Sequence, residues 1–229
     1  MSGRPRILDL FCCAGGAAMG YHQAGFDVVG VDINPQPRYP FAFLQMDVLT
    51  VDRRFISSFD AVHASPPCQG YTDMRHAPGA IGAPRLIGRV RAMIEHMPYV
   101  IENVDGAESE MRDPVTLCGT MFGLGAAGAD LRRHRRIETN FPLVVPACDH
   151  SDRPVVGVYG GHARIRSAKH GGRGTRDVWP NGHKPVAAEA MGMDWATLAE
   201  MSEAIPPAYT RFIGAQLLDH IATSERLAA

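Results

Sequence analysis

The feature that most restricts what this chain can fold into is the alternation of short apolar runs with helical stretches in its first half. Arg6-Ile7-Leu8-Asp9-Leu10 reads as a buried strand, followed by a Gly-containing turn, a helix over about 17–24 closed by Gly25, and a second strand, Asp27–Asp32, ending in a carboxylate. Further strands are expected around 43–46, 60–64 and 99–102. Between the last two, Leu86, Ile87, Val90, Met93, Ile94 and Met97 recur at helical spacing over about 85–96. Strands separated by helices cannot close as hairpins, so the expected class is α/β, a doubly wound, mostly parallel sheet covered on both faces.

After Asn140 the character changes to loops rich in Pro and Gly. The reading divides the chain into a core over 1–140, a small loop-rich lobe over 141–184, and C-terminal helices over 185–229 that return to the core. In the last part Asp194 is expected to cap a helix over 195–201, and a final amphipathic helix runs over about 207–226. At 229 residues and 45% hydrophobic content the chain can bury one core, with little left for a second full domain. No apolar run approaches the roughly 20 residues of a membrane span, and Met1–Arg6 is not followed by a signal-peptide core, so a cytoplasmic protein with no membrane partner is expected; a monomer is expected as well. Five cysteines, an odd number, point to free thiols in a reducing compartment, one of them available for catalysis.

The near-neutral net charge of −1 hides an asymmetry. From Leu131 to Arg176 ten Lys and Arg face three acids, the footprint of a protein that meets a polyanion with one face; a solvated basic loop would look the same in isolation.

Two groups of residues carry chemistry. Asp9-Leu10-Phe11-Cys12-Cys13-Ala14-Gly15-Gly16 lies where a strand gives way to a helix, the place where open α/β sheets bind nucleotides. It has neither a phosphate-loop lysine nor the full three-glycine fingerprint, so an adenosine without a pyrophosphate suits it better. Asp32 is placed to accept ribose hydroxyls and Asp47 to accept from an adenine amino group. In Ser65-Pro66-Pro67-Cys68-Gln69-Gly70 two prolines stiffen a strand-end loop and set the direction of a thiol that needs local positive charge or a base for activation. Ile101-Glu102-Asn103-Val104 brings a carboxyl group to the same sheet edge.

In this order, together with the Arg132–Arg136 cluster and Ala204-Ile205-Pro206-Pro207, these elements resemble the cytosine-C5 DNA methyltransferases over about 7–218. Amino-methylating relatives place an aromatic residue after Pro-Pro, where this chain has Cys68. The resemblance implies an S-adenosylmethionine-dependent methyltransferase fold with a target-recognition lobe, double-stranded DNA as partner, and a base flipped from the helix. It implies Cys68 as nucleophile on C6, Glu102 at ring N3, and Arg133 or Arg135 at cytosine O2. For the cofactor it implies Asp9, Phe11 on adenine, the turn through Gly15 and Gly16, Asp32 on the ribose, Ile33, Asp47 and Pro66. Gln69, Arg164, Arg166, Lys169, Arg173 and Arg176 are the expected DNA contacts, with phosphate contacts dominating and little sequence readout. Three positions depart from the family pattern: Cys13 for a glycine, Asp32 for a glutamate, and Ser202-Glu203 for Gly-Asn. The compact chain suggests a phage or bacterial modification enzyme of the restriction-modification kind.

Cys118, Cys148, Asp149, His150 and His162 contain zinc-type ligands but no Cys-x-x-Cys pair, so no metal is expected. Trp179 and Trp195 read as packing anchors. Two rival readings stay open: RNA cytosine-C5 methylation on the same fold, and a catalytically idle DNA-binding relative.

Overall fold

In the computed structural model, which describes residues 3–72, 82–166 and 181–228, the apolar runs become the strands of one central sheet. The elements are β1 Arg6–Leu10, α1 Gly16–Ala24, β2 Asp27–Asp32, β3 Ala42–Gln45, α2 Arg53–Ile56, β4 Ala61–Ala64, α3 Ile87–Ile94, β5 Tyr99–Asn103 and β6 Val115–Leu117. They continue with β7 Gly125–Ala126, β8 Ala129–Asp130, β9 Arg135–Thr139, β10 Val155–Tyr159, β11 His162–Arg166, α4 His183–Met191, α5 Leu198–Glu203 and α6 Pro207–Ala228. The central sheet has the order β3-β2-β1-β4-β5-β9-β6. Strands β1 to β5 pair in parallel, and β9 alone runs against the other six strands, antiparallel to its neighbours β5 and β6.

Alternation across the pleat sends successive residues to opposite faces. Ile7, Val28, Ala61 and Val100 face α1 and α6, packing on Tyr21, Phe26, Ile213 and Leu217. Leu8, Leu10, Val62 and Ile101 face the other way, onto Ile56 of α2 and Ile87, Val90 and Ile94 of α3. The α1–α6 contact is close because Gly20 lets it be: a Cβ there would stand 2.1 Å from the Pro207 carbonyl oxygen and 2.0 Å from Thr210 Oγ1.

The strand order reverses beside β1, with β2 on one side and β4 on the other. In open α/β sheets ligands bind outside the carboxyl ends of the strands at such a switch point. Both chemistry-bearing loops leave from there, Phe11–Gly15 after β1 and Ser65–Cys68 after β4. The antiparallel β9 adds a third contribution: Asn103 pairs with Arg136, so the start of β9 lies at the carboxyl end of β5.

Several expectations differ from the structure. The boundary at 140 does not separate the two sheets, since the smaller sheet, β11-β10-β8-β7, draws on Gly125–Asp130 as well as Val155–Arg166. Nor is the lobe only loop: β10 and β11 form a hairpin whose turn, Gly160-Gly161, has φ of 55° and 73°, the left-handed conformation that tight hairpin turns demand. The helix after Asp194 begins later, with Thr197 as cap. Thr197 Oγ1 and Glu200 close a reciprocal capping box, a pattern already visible in Thr197-Leu-Ala-Glu200.

Candidate active site

The two loops and the start of β9 enclose a cleft of about 230 Å³. Its walls include Asp9, Phe11, Gly16, Asp32, Ile33, Pro66, Cys68, Gln69, Glu102 and Arg135, all of them anticipated as site residues.

At the β1 end the backbone takes a sharp turn in which two non-glycine residues, Phe11 and Cys13, have φ of 60° and 44°. The Cys13 amide donates to Asp32 Oδ2 at 3.1 Å and the Asn34 amide to Oδ1 at 2.9 Å, so the carboxylate at the end of β2 holds the turn while facing the cleft. Trp195 Nε1 donates to the Ala14 carbonyl at 2.8 Å, an anchor as expected. Gly16 has no room for a side chain, because a Cβ would stand 2.4 Å from the Ile205 carbonyl oxygen. Gly15 takes φ 82° against Tyr39 and Pro40 and shapes the turn without lining the cleft.

Asp9 is fully buried. Its Oδ2 accepts from the Tyr39 hydroxyl at 3.4 Å, while its Oδ1 has no partner among the described residues. Burial is the main cause, opposed by the Tyr39 hydrogen bond, that pushes its pKa up to about 8.

At the β4 end Pro67 precedes a single 3-10 turn, Cys68–Gly70, that presents the Cys68 thiol to the cleft. Asn103 Nδ2 donates to the Pro66 carbonyl at 2.9 Å, locking this loop to β5. Beneath it, buried His63 bridges Tyr21 and Ser65, and burial drives its pKa down to about 3, so it is a neutral strut.

Glu102 and Arg135 form a nearly buried ion pair, Nε to Oε1 at 2.9 Å. This alters the expectation for the thiol. Burial first, and the Glu102 carboxylate second, push the Cys68 pKa up, and Arg135 only partly offsets them. A preformed thiolate is therefore not what the protein alone stabilises.

The two candidate arginines lie in different places, with Arg135 lining the cleft. Arg133 does not face the cleft. Its guanidinium is fully buried and donates to the carbonyls of Ala204, Val158 and Ser202 at 3.0, 2.8 and 2.6 Å, tying the smaller sheet to the α5–α6 connection. Burial lowers its pKa to about 10. Asp47 also lies elsewhere: it is exposed and caps the turn Val48–Thr50 through the Leu49 amide at 2.9 Å. Of the expected DNA contacts, Arg164 and Arg166 lie on β11, whereas Lys169, Arg173 and Arg176, like Trp179, fall outside the described residues. Ala17, Asn34, Ala204 and Ile205 line the cleft without having been singled out as site residues, and Glu203, noted in the sequence as a departure from the family pattern, enters with Ala204 and Ile205 through the α5–α6 connection. Asn103 was visible inside Glu-Asn-Val, but its role depends on a loop that only the fold brings near.

The strand order, the switch-point cleft and the flanking helices define the fold of the S-adenosylmethionine-dependent methyltransferases. No protein-family model matches the chain. Over 122 residues it is 34% identical to the type II methyltransferase M.XorII of Xanthomonas oryzae pv. oryzae. That match covers 45% of this chain and 29% of the relative, so it spans less than a third of the relative's length. Among solved structures, the methyltransferase EhMeth of Entamoeba histolytica superposes with a TM-score of 0.60 at 11% identity, covering 96% of this chain and 99% of that one. The S. pombe Dnmt2 methyltransferase gives 0.56 at 14%, covering 95% and 99%. A prophage-encoded E. coli protein, assigned as a DNA modification methyltransferase, gives 0.57 at 16%, covering 96% and 99%. The three structures share this fold, and the partial sequence match is to a type II methyltransferase.

Proposed function

We propose that this protein is a DNA (cytosine-5)-methyltransferase that uses S-adenosylmethionine and a covalent Cys68 adduct. The observation that carries the reading is the convergence of Cys68, Glu102 and Arg135 on the same cleft as Asp9, Phe11 and Asp32. A thiol, an acid-base group and a cation thus stand beside a nucleotide-type crevice.

The residues at the β1 end fit the methyl donor. Asp9 offers a buried oxygen without a partner among the described residues, suited to a cationic group, and Asp32 retains acceptor capacity for ribose hydroxyls. Phe11 and Ile33 supply apolar walls for the adenine ring. When bound, S-adenosylmethionine supplies an electrophilic methyl group.

On the substrate side, Cys68 would form an S–C6 bond with a flipped cytosine, at an unstacking cost of a few kcal/mol. The thiol's proton passes by way of Glu102 to N3, where it meets the displaced ring electrons, while Arg135 stabilises charge on O2. C5 then carries enough electron density to take the methyl group. Loss of the C5 proton to a base breaks the S–C6 bond and frees the thiol. Because Arg135 is tied to Glu102 in the free protein, the base itself completes the activation of Cys68 by engaging both partners of the ion pair. Gln69, Arg164, Arg166, Lys169, Arg173 and Arg176 are assigned to the duplex, with Arg164 on the hairpin lobe.

A duplex carrying 5-fluorocytosine cannot lose its C5 substituent as a proton, so with the methyl donor it should trap a covalent complex that Cys68→Ser does not form. Absence of any adduct with the unaltered protein overturns the covalent reading. A trap that forms on transfer RNA and not on duplex DNA transfers the assignment to RNA.

A further inference from the structure

Outside the cleft, four side chains from separate parts of the chain meet. Cys118 follows β6, His134 immediately precedes Arg135 on β9, and Cys148 and His150 come from the loop leading to β10. Each offers one ligand atom, and the four atoms lie within 4.8 Å of one another. Cys148 Sγ is 3.2 Å from His150 Nε2 and 3.5 Å from His134 Nε2. Cys118 Sγ is 3.4 Å from His150 Nε2, and the two Nε2 atoms are 3.3 Å apart.

Hydrogen bonding does not account for this convergence. His150 Nε2 faces two sulfurs and another ring nitrogen, yet an imidazole nitrogen has either one proton or one lone pair to share. The four separations instead match edges of a tetrahedron, and the remaining two lie within 4.8 Å. Zinc bonds of about 2.3 Å to sulfur and about 2.0–2.1 Å to nitrogen imply edges of about 3.6 Å for S–N and about 3.4 Å for N–N.

We propose that Cys118, His134, Cys148 and His150 form a four-coordinate zinc site. Two thiolates and two neutral imidazoles balance the ion's charge, and a mixed sulfur and nitrogen tetrahedron suits zinc above the hard cations. All four positions are filled by the protein, so the ion is structural and has no open position for a substrate. Outer partners are in place: Thr120 Oγ1 donates to Cys118 Sγ at 3.2 Å, and Asp105 Oδ2 stands 3.8 Å from His134 Nδ1. His162, considered with these residues in the sequence, packs against His183 instead, and His134 takes its place. The ion would fasten the 141–154 loop to β6 and β9, one residue from Arg135. The site stands whether or not the methyl-transfer reading does.

Untagged full-length protein, purified without chelator, should carry about one zinc per chain by elemental analysis. Cobalt(II) added to the metal-free protein should give the visible absorption of a tetrahedral site with a sulfur-to-cobalt charge-transfer band. Cys148 and His150 are exposed, so Cys148→Ser and His150→Ala should keep the circular dichroism of the folded protein while losing both signals. Three results each overturn the proposal: a protein that takes up neither metal, a stoichiometry unchanged in both variants, or three titratable thiols instead of five in denaturant without reductant, which would mean a Cys118–Cys148 disulfide.

Discussion

Cys13 and Phe11 adopt left-handed backbone within one turn, at a cost of about 1 kcal/mol each for residues with a Cβ. The family pattern has glycine at the first of these positions, and the conformation explains why. Cys13→Gly should leave the Asp32 contact intact and raise stability by up to about 1 kcal/mol in denaturant unfolding. A loss of stability would mean that the Cys13 side chain contributes more than its backbone strain. Asp9 gives a pH signature. Its folded pKa of about 8 lies above the ordinary 3.8, so between these values the folded state binds more protons than the unfolded one. Stability therefore declines as pH rises across that window. A cation beside Asp9 favours the ionised form, so binding of the methyl donor at pH 7 should release a proton, read by calorimetry in buffers of different ionisation enthalpy. Asp9→Asn should abolish the release. The arginines separate similarly: Arg133→Met leaves two buried carbonyls and one part-buried carbonyl without their donor and should cost several kcal/mol, whereas Arg135→Lys should spare the fold and lower turnover. An Arg-His-Arg pattern shows that one of two residues faces the site; which one depends on where β9 begins, and the sequence carries no signal for that.

At the level of elements, β9 is one of the strands that sequence patterning passes over. Its residues Arg135-Arg136-Ile137-Glu138-Thr139 look like a solvated loop, yet its two buried charges are both partnered: Arg135 by Glu102, and Glu138 by Arg91 at 2.6 Å, by Tyr99 and by the Arg112 amide. The apolar strands β1, β2, β4 and β5 were legible because burial on both faces demands continuous hydrophobicity. A strand whose polar groups are satisfied by distant partners leaves no such trace. The α1–α6 interface is testable through Gly20. Gly20→Ala places a Cβ against two oxygens and should cost more than about 2 kcal/mol, lowering the Tm by several degrees. Gly88→Ala in α3, where nothing lies within 4 Å, should instead stabilise by roughly 0.5–1 kcal/mol through helix propensity.

Across the whole molecule, the basic segment is less free than its residue count suggests. Arg133 serves three carbonyls, Arg135 pairs with Glu102, Arg136 with Asp105 and Glu108, and Arg153 with Asp130. Composition reveals the charge but not which charges are spent internally. If Arg164 meets a phosphate, Arg164→Ala should reduce the salt dependence of duplex binding by about 0.9 in log–log slope, and Arg153→Ala should leave it nearly unchanged. The cleft itself joins residues far apart along the polypeptide: Asp9, Phe11, Cys13 and Gly16 contribute to one wall, and Glu203 to Ile205 close it. During synthesis, the first wall emerges from the ribosome long before its counterpart. A nascent chain halted before α5 would lack that closing wall, so the cleft is completed only once Glu203 to Ile205 have been made.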